Sequence, residues 1–336
     1  MLNGLKMGMA AVGLFMCLVS APARAETPLA TPRGVIVLIP GTLNSALPGN
    51  VHENPIGQKW EISPYFSIDI VHAFEAQGFA VHTVQDLGPF DGFVDNGEAV
   101  ARDVSDWYHR YFPKGDVPIT FVGHSCGGFY GLYALNKTLD LPIRNLFFVA
   151  TPLQGSELAD TAFQNPWVGD FLQTFVIKTS GLFDLRGLLQ ASAPNVRNFL
   201  AAIPVRRGVS VFSLTGHQST SWNPFASFDA ENMEPLLVPT YSWIGSLAGE
   251  NDGIVSVRTA LGFGAKFRES DGDWFSVTPL PELTMNLDHL EQILDYRLFA
   301  PFGIRHREVI RSEQIRVYSG IARKIAELGD VKAASN

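Results

Sequence analysis

Five short apolar runs, each followed by a helical stretch or a turn, constrain this chain most: "GVIVLIPGT" (34–42), "FAVHTVQD" (79–86), "PITFVG" (118–123), "NLFFVATP" (145–152) and "GVSVFSLTG" (208–216). They are continuous and rich in β-branched residues rather than alternating, as expected of strands covered on both faces. Between them, "FSIDIVHAFEAQG" (66–78) has apolar residues at helical spacing, and residues 97–112 place Val100, Val104, Trp107, Tyr108 and Tyr111 on one helical face. Strands alternating with helices at this interval predict a mostly parallel sheet with helices on both sides. "PTYSWIGS" (239–246) reads as a further core strand, and Val309, Ile310, Ile315, Val317, Ile321 and Ile325 mark a C-terminal helix over 307–327.

Two segments interrupt this order. Residues 1–25 combine Lys6, an apolar run from Met7 to Ser20 and the small-residue end Ala23-Arg24-Ala25, which reads as a secretory signal peptide cut after Ala25. Phe15 and Met16 precede Cys17 where a lipidation site needs small residues. Cleavage predicts a secreted or periplasmic chain of residues 26–336 with no stable membrane insertion. It removes Lys6 and Arg24 and no acidic residue, taking the formal charge from −8 to −10, which argues against nucleic acid as a partner. Cys126 is then the sole cysteine, so no internal disulfide forms and burial must supply stability. Around 160–206 the strand signal gives way to Phe- and Leu-rich sequence, "WVGDFLQTFVIKTSGLFDLRGLLQ", read as amphipathic helices forming a cap or lid over an apolar site.

The chemistry concentrates at "ITFVGHSCGGFYGLYAL" (119–135). Gly123-His124-Ser125-Cys126-Gly127 is a Gly-x-Ser-x-Gly pattern between a strand and a helix, where a sharp turn projects the Ser125 hydroxyl above a sheet edge. Without that context the pattern is a common accident of glycine-rich sequence. A serine hydroxyl attacks only if a base takes its proton, so a histidine held by a carboxylate is required. Of the downstream histidines, His289 in "LTMNLDHLEQIL" follows a long loop and precedes an apolar helical stretch, whereas His306 lies among charges. His52, His72, His82, His109 and His217 fall outside the expected chain order, and His124 packs beside the nucleophile. Asp252 in "AGENDGIVSV" is the expected acid, lying after the 239–246 run and before His289, with Glu250 and Asp288 as alternatives. The backbone N–H groups of Cys126 and of Thr42, the latter after Gly41 in "IPGTLNS", are the expected oxyanion donors.

With these blocks in place, the sequence resembles the secreted bacterial triacylglycerol lipases of the α/β-hydrolase superfamily. The resemblance rests on "VLIPGT", "VGHSCGG", "ATPLQGSELAD", "YSWIG", "NDGIVS" and "MNLDHLEQI". It implies an α/β-hydrolase fold and ester hydrolysis by Ser125, Asp252 and His289, with Thr42 and Cys126 as oxyanion donors and no cofactor. It also implies a small-molecule or lipid ester substrate met at a lipid–water interface. Pro40 and Leu153 stand where histidines are usual in the family. The interval "GSLAGE" and Glu291 stand where many members place calcium-binding aspartates, so no calcium is expected. A short-chain esterase, polyester depolymerase, thioesterase or acyltransferase would use the same triad. A non-catalytic binding protein of this fold would need the triad misplaced.

Overall fold

The structure, a computed structural model, describes residues 31–42, 50–53, 57, 59–63, 65–88, 91–164, 190–218, 237–295 and 304–334. The signal-peptide reading, and 165–189 at the centre of the cap reading, lie outside the described residues. No described helix is long and apolar enough to cross a membrane.

A six-stranded sheet in the order β10-β7-β6-β5-β1-β4 forms the centre. It contains β1 (Gly34–Ile39), β4 (Phe79–Thr83), β5 (Ile119–His124), β6 (Ile143–Val149), β7 (Ser210–Leu214) and β10 (Thr278–Pro279). Every pairing is parallel. All residues of β1, β4 and β5 are buried, which explains why their sequences do not alternate. Ile39 pairs with Gly123, His124 with Val149, and Val149 with Leu214, so these strands end along one rim. In parallel α/β sheets that C-terminal rim is where ligands bind.

Helices α1 (Ile68–Glu75), α2 (Phe93–Tyr111), α3 (Gly127–Lys137), α4 (Glu157–Gln164) and α5 (Ala193–Ala202) connect or follow these strands. A hairpin of β2 (Asn50–Glu53) and β3 (Lys59–Ile62) fills the β1–α1 connection. It packs through Trp60, whose Nε1–H donates to the Val81 carbonyl at 2.7 Å.

Three expectations require correction. Residues 239–246 are not a strand but part of the helix α6 (Val238–Ala248). Pro239 suits a helix's first turn, Gly249 closes the end with φ +82, and Tyr241, Ile244 and Ala248 recur at helical spacing. The apolar stretch after His289 is a series of turns, not a helix, held by bonds such as Gln292 N–H to the Asp288 carbonyl at 3.1 Å. The C-terminal helix, α8 (Ile304–Ala334), runs past both expected ends because Ala, Leu, Glu and Lys continue the helix-forming composition. Between Asp252 and His289 lie α7 (Val257–Ala260) and a small hairpin of β8 (Phe267–Arg268) and β9 (Trp274–Phe275). "ESDGD" is its turn, closed by Glu269 N–H donating to the Asp273 carbonyl at 2.7 Å.

Candidate active site

Ser125 follows β5 directly and has φ +54, one of few described residues other than glycine in the left-handed region. That conformation costs an L-residue roughly 1–2 kcal/mol, and its neighbours hold it there. Ser125 N–H donates to the Val149 carbonyl at 2.8 Å, and the Thr151 hydroxyl donates to the Ser125 carbonyl at 2.8 Å. The flanking glycines make the turn sterically possible. A Cβ on Gly123 would lie 2.6 Å from the backbone of Gly127 and Gly128, and one on Gly127 would lie 2.2 Å from the Ile39 carbonyl oxygen.

The end of β1 closes over the same point. A Cβ on Gly41 would come within 2.9 Å of Ser125 Cβ and 3.0 Å of the Tyr65 hydroxyl. Burial pushes the Cys126 thiol up from its ordinary pKa, opposed by hydrogen bonds with Thr42 and Ser125, so these three residues meet. Cys126 stands at the N-cap of α3: the amides of Gly128 and Phe129 bond back to the Ser125 and Cys126 carbonyls at 3.2 and 2.9 Å, whereas the Cys126 amide, at the very start of the helix, has no partner within α3.

Asp252 and His289 form a buried pair, with His289 Nδ1 2.8 Å from Asp252 Oδ2. The carboxylate is fully enclosed and both its oxygens are used. Oδ2 also accepts from Gln292 Nε2 at 2.8 Å, while Oδ1 accepts from the amides of Ile254 at 3.0 Å and Val255 at 2.8 Å. The backbones are joined as well, His289 N–H donating to the Asp252 carbonyl at 2.9 Å. With Nδ1 donating to Asp252, Nε2 is the ring nitrogen left to accept a proton. The segment before His289 runs beside β7: β10 pairs with Phe212 and Ser213, and Met285 N–H donates to the Thr215 carbonyl at 3.0 Å.

Glu250 is exposed. Asp288 is buried but accepts from the amides of Leu290 and Glu291 at 3.0 Å, so it caps a turn. Neither fallback carboxylate therefore partners His289. The side chain of His306 lies outside the described residues.

The link between the two halves of the site is His124. Its ring lies 4.6 Å from that of His289, centroid to centroid, and its Nδ1 lies 2.9 Å from the Tyr65 hydroxyl. Burial, and then the charge of His289, hold the His124 pKa well below its ordinary value. Tyr65 and Gln292 were not identifiable from sequence as site residues. The only signal for Gln292 is its place three residues after His289 in a tight segment.

The His124 environment predicts a pH dependence of stability. Below about pH 6.5 the unfolded chain binds a proton at this residue that the folded chain refuses. Its contribution is complete above that pH and declines by about 1.4 kcal/mol per pH unit as pH falls toward the depressed folded-state value. Denaturation at pH 7 and 5 should show a steeper loss for the wild type than for His124→Asn; equal slopes would exclude this origin.

No family model matches the chain, and no curated protein matches it by sequence. Solved structures do match by shape. The metagenomic carboxyl esterase MGS0156 is 21% identical with a TM-score of 0.57, over 90% of this chain and 81% of that one. Staphylococcus hyicus lipase is 13% identical with a TM-score of 0.55, over 94% of this chain and 100% of that one. Mature Bacillus licheniformis lipase BlEst2 is 21% identical with a TM-score of 0.51, over 84% of this chain and 95% of that one. The parallel sheet, its flanking helices and these likenesses together make this an α/β-hydrolase fold, shared with bacterial lipases and esterases.

Proposed function

We propose that the protein is a carboxylic ester hydrolase of the lipase or esterase type, with Ser125 as nucleophile, His289 as base and Asp252 as the acid that orients it. The buried Asp252–His289 pair, at the same sheet rim as a left-handed serine heading a helix, carries this reading. A base with one nitrogen fixed by a carboxylate and the other open is what a serine hydroxyl needs beside it. The structural neighbours include proteins described as a carboxyl esterase and as lipases, which supports the same reaction class.

In this mechanism His289 Nε2 takes the Ser125 proton as Oγ attacks the ester carbonyl. The amides of Cys126 and Thr42 receive the oxyanion, and the imidazolium protonates the leaving alcohol. Water then releases the acid from the acyl-enzyme along the reverse path. A neutral His124 suits this step, since a second charge 4.6 Å away would oppose formation of the imidazolium. The Phe-rich 160–206 segment, read as a cap, favours a lipid-like acyl chain, and residues 1–25 favour export.

A fluorophosphonate probe should add one mass increment per chain at Ser125 and abolish hydrolysis of p-nitrophenyl esters. Unlabelled protein, or labelling elsewhere, would overturn the assignment. Higher kcat/KM on longer acyl chains would support the lipid-like substrate.

A further inference from the structure

Away from this rim, three ligand-type side chains converge where β2 meets α1. Glu75 and His72 are three residues apart on α1 and so share a helix face. His52 projects from β2, its Nε2 2.8 Å from Glu75 Oε1, and the His52 and His72 rings are 5.7 Å apart. One ligating atom from each residue lies within 4.8 Å of the others, and this is the sole His/Cys/Asp/Glu group of its kind among the described residues.

We propose that His52, His72 and Glu75 form a binding site for a zinc-type divalent cation that ties the β2–β3 hairpin to α1. Two imidazoles and a carboxylate are a borderline donor set suited to zinc, cobalt or copper rather than to calcium or magnesium. Ligand atoms about 2.0–2.1 Å from a tetrahedral zinc stand about 3.3 Å apart. The His52–Glu75 separation is already near that value. With all three ligand atoms within 4.8 Å of one another, the exposed His72 ring needs a shift of at most about 1.5 Å to close the third side, and its exposure gives a cation a way in. Three protein ligands leave a fourth position for water.

The hairpin lies between Thr42 and Tyr65, so a cation here braces the connection between the expected oxyanion loop and the tyrosine that contacts His124. The site stands independently of the proposed hydrolysis, and Ser125→Ala should bind the cation as the wild type does.

The test uses EDTA-treated full-length protein titrated calorimetrically with zinc chloride, with cobalt as the spectroscopic probe. One cation per chain is expected, with the intense visible bands of four-coordinate cobalt. At a hundred times Kd, zinc should raise Tm by about 4 °C. His72→Ala, at an exposed position, should keep the fold and weaken binding more than ~10-fold. His109→Ala, at an exposed site on α2, should bind normally. Absence of binding, or unchanged affinity and stabilisation in His72→Ala, would overturn the proposal and leave His52 and Glu75 as a simple hydrogen-bonded pair.

Discussion

Ser125→Ala should lower kcat/KM for p-nitrophenyl esters by on the order of 10⁴–10⁶-fold while leaving the denaturation midpoint nearly unchanged. The substitution removes one oxygen from a turn whose backbone bonds to Val149 and Thr151 do not depend on it. Alanine carries the same left-handed backbone cost as serine, so stability should move by no more than about 0.5 kcal/mol. Asp252→Asn separates the two properties differently. Oδ2 accepts from both His289 and Gln292, and an amide cannot satisfy that pair while its other end also receives the amides of Ile254 and Val255. Activity should fall about 10⁴-fold through the wrong imidazole tautomer, with a further stability cost of about 1–3 kcal/mol from unmatched buried groups. Combining Ser125→Ala with His289→Ala should be scarcely worse than either alone, because the two act as one unit. Substantial hydrolysis remaining in purified Ser125→Ala would remove it as nucleophile.

A second large effect is expected from a residue with no chemistry of its own. In Gly127→Ala the added Cβ would stand 2.2 Å from the Ile39 carbonyl oxygen and 2.7 Å from that of Pro40. Both obstacles are backbone, so no side chain can swing aside; either α3 retreats from the sheet or the end of β1 moves. A loss of about 3 kcal/mol or more in denaturant unfolding is expected, with activity lost as the Gly41–Thr42 backbone leaves Ser125. Gly329→Ala serves as the control. Its Cβ would meet nothing within 4 Å, and replacing a helical glycine there should stabilise by up to about 1 kcal/mol. Equal stability of Gly127→Ala and wild type would contradict the packing at this turn.

The sheet was legible because strands covered on both faces leave an unbroken apolar run, as in Val35–Ile39 and Phe121–Val122. Ser125 was legible because its glycines, strand and helix are adjacent in sequence. The pairing of Asp252 with His289 is expected from sequence for a partly mistaken reason. Chain order pointed to it, but the strand thought to precede it is α6, whose Tyr241 and Trp243 imitate the alternation of a half-buried strand. Pro239 in its first turn, the closure of its end by Gly249 and the Tyr241–Ile244–Ala248 spacing give the helix away. β10 went unseen because two residues are too few to form a pattern. Tyr65 and Gln292 were hidden because their roles come from contacts across 59 and 40 positions of chain, set by the topology.

The slender attachment of β10 has its own consequence. Chain segments are released from a native structure in order of their local free energy, and a two-residue edge strand sits low in that order. Loosening of this margin would act on the approach to His289, which is itself held to Asp252, while β1 and β4–β7 keep the turn at Ser125 in place. Under the proposed mechanism, competence would then be lost at a lower threshold than foldedness.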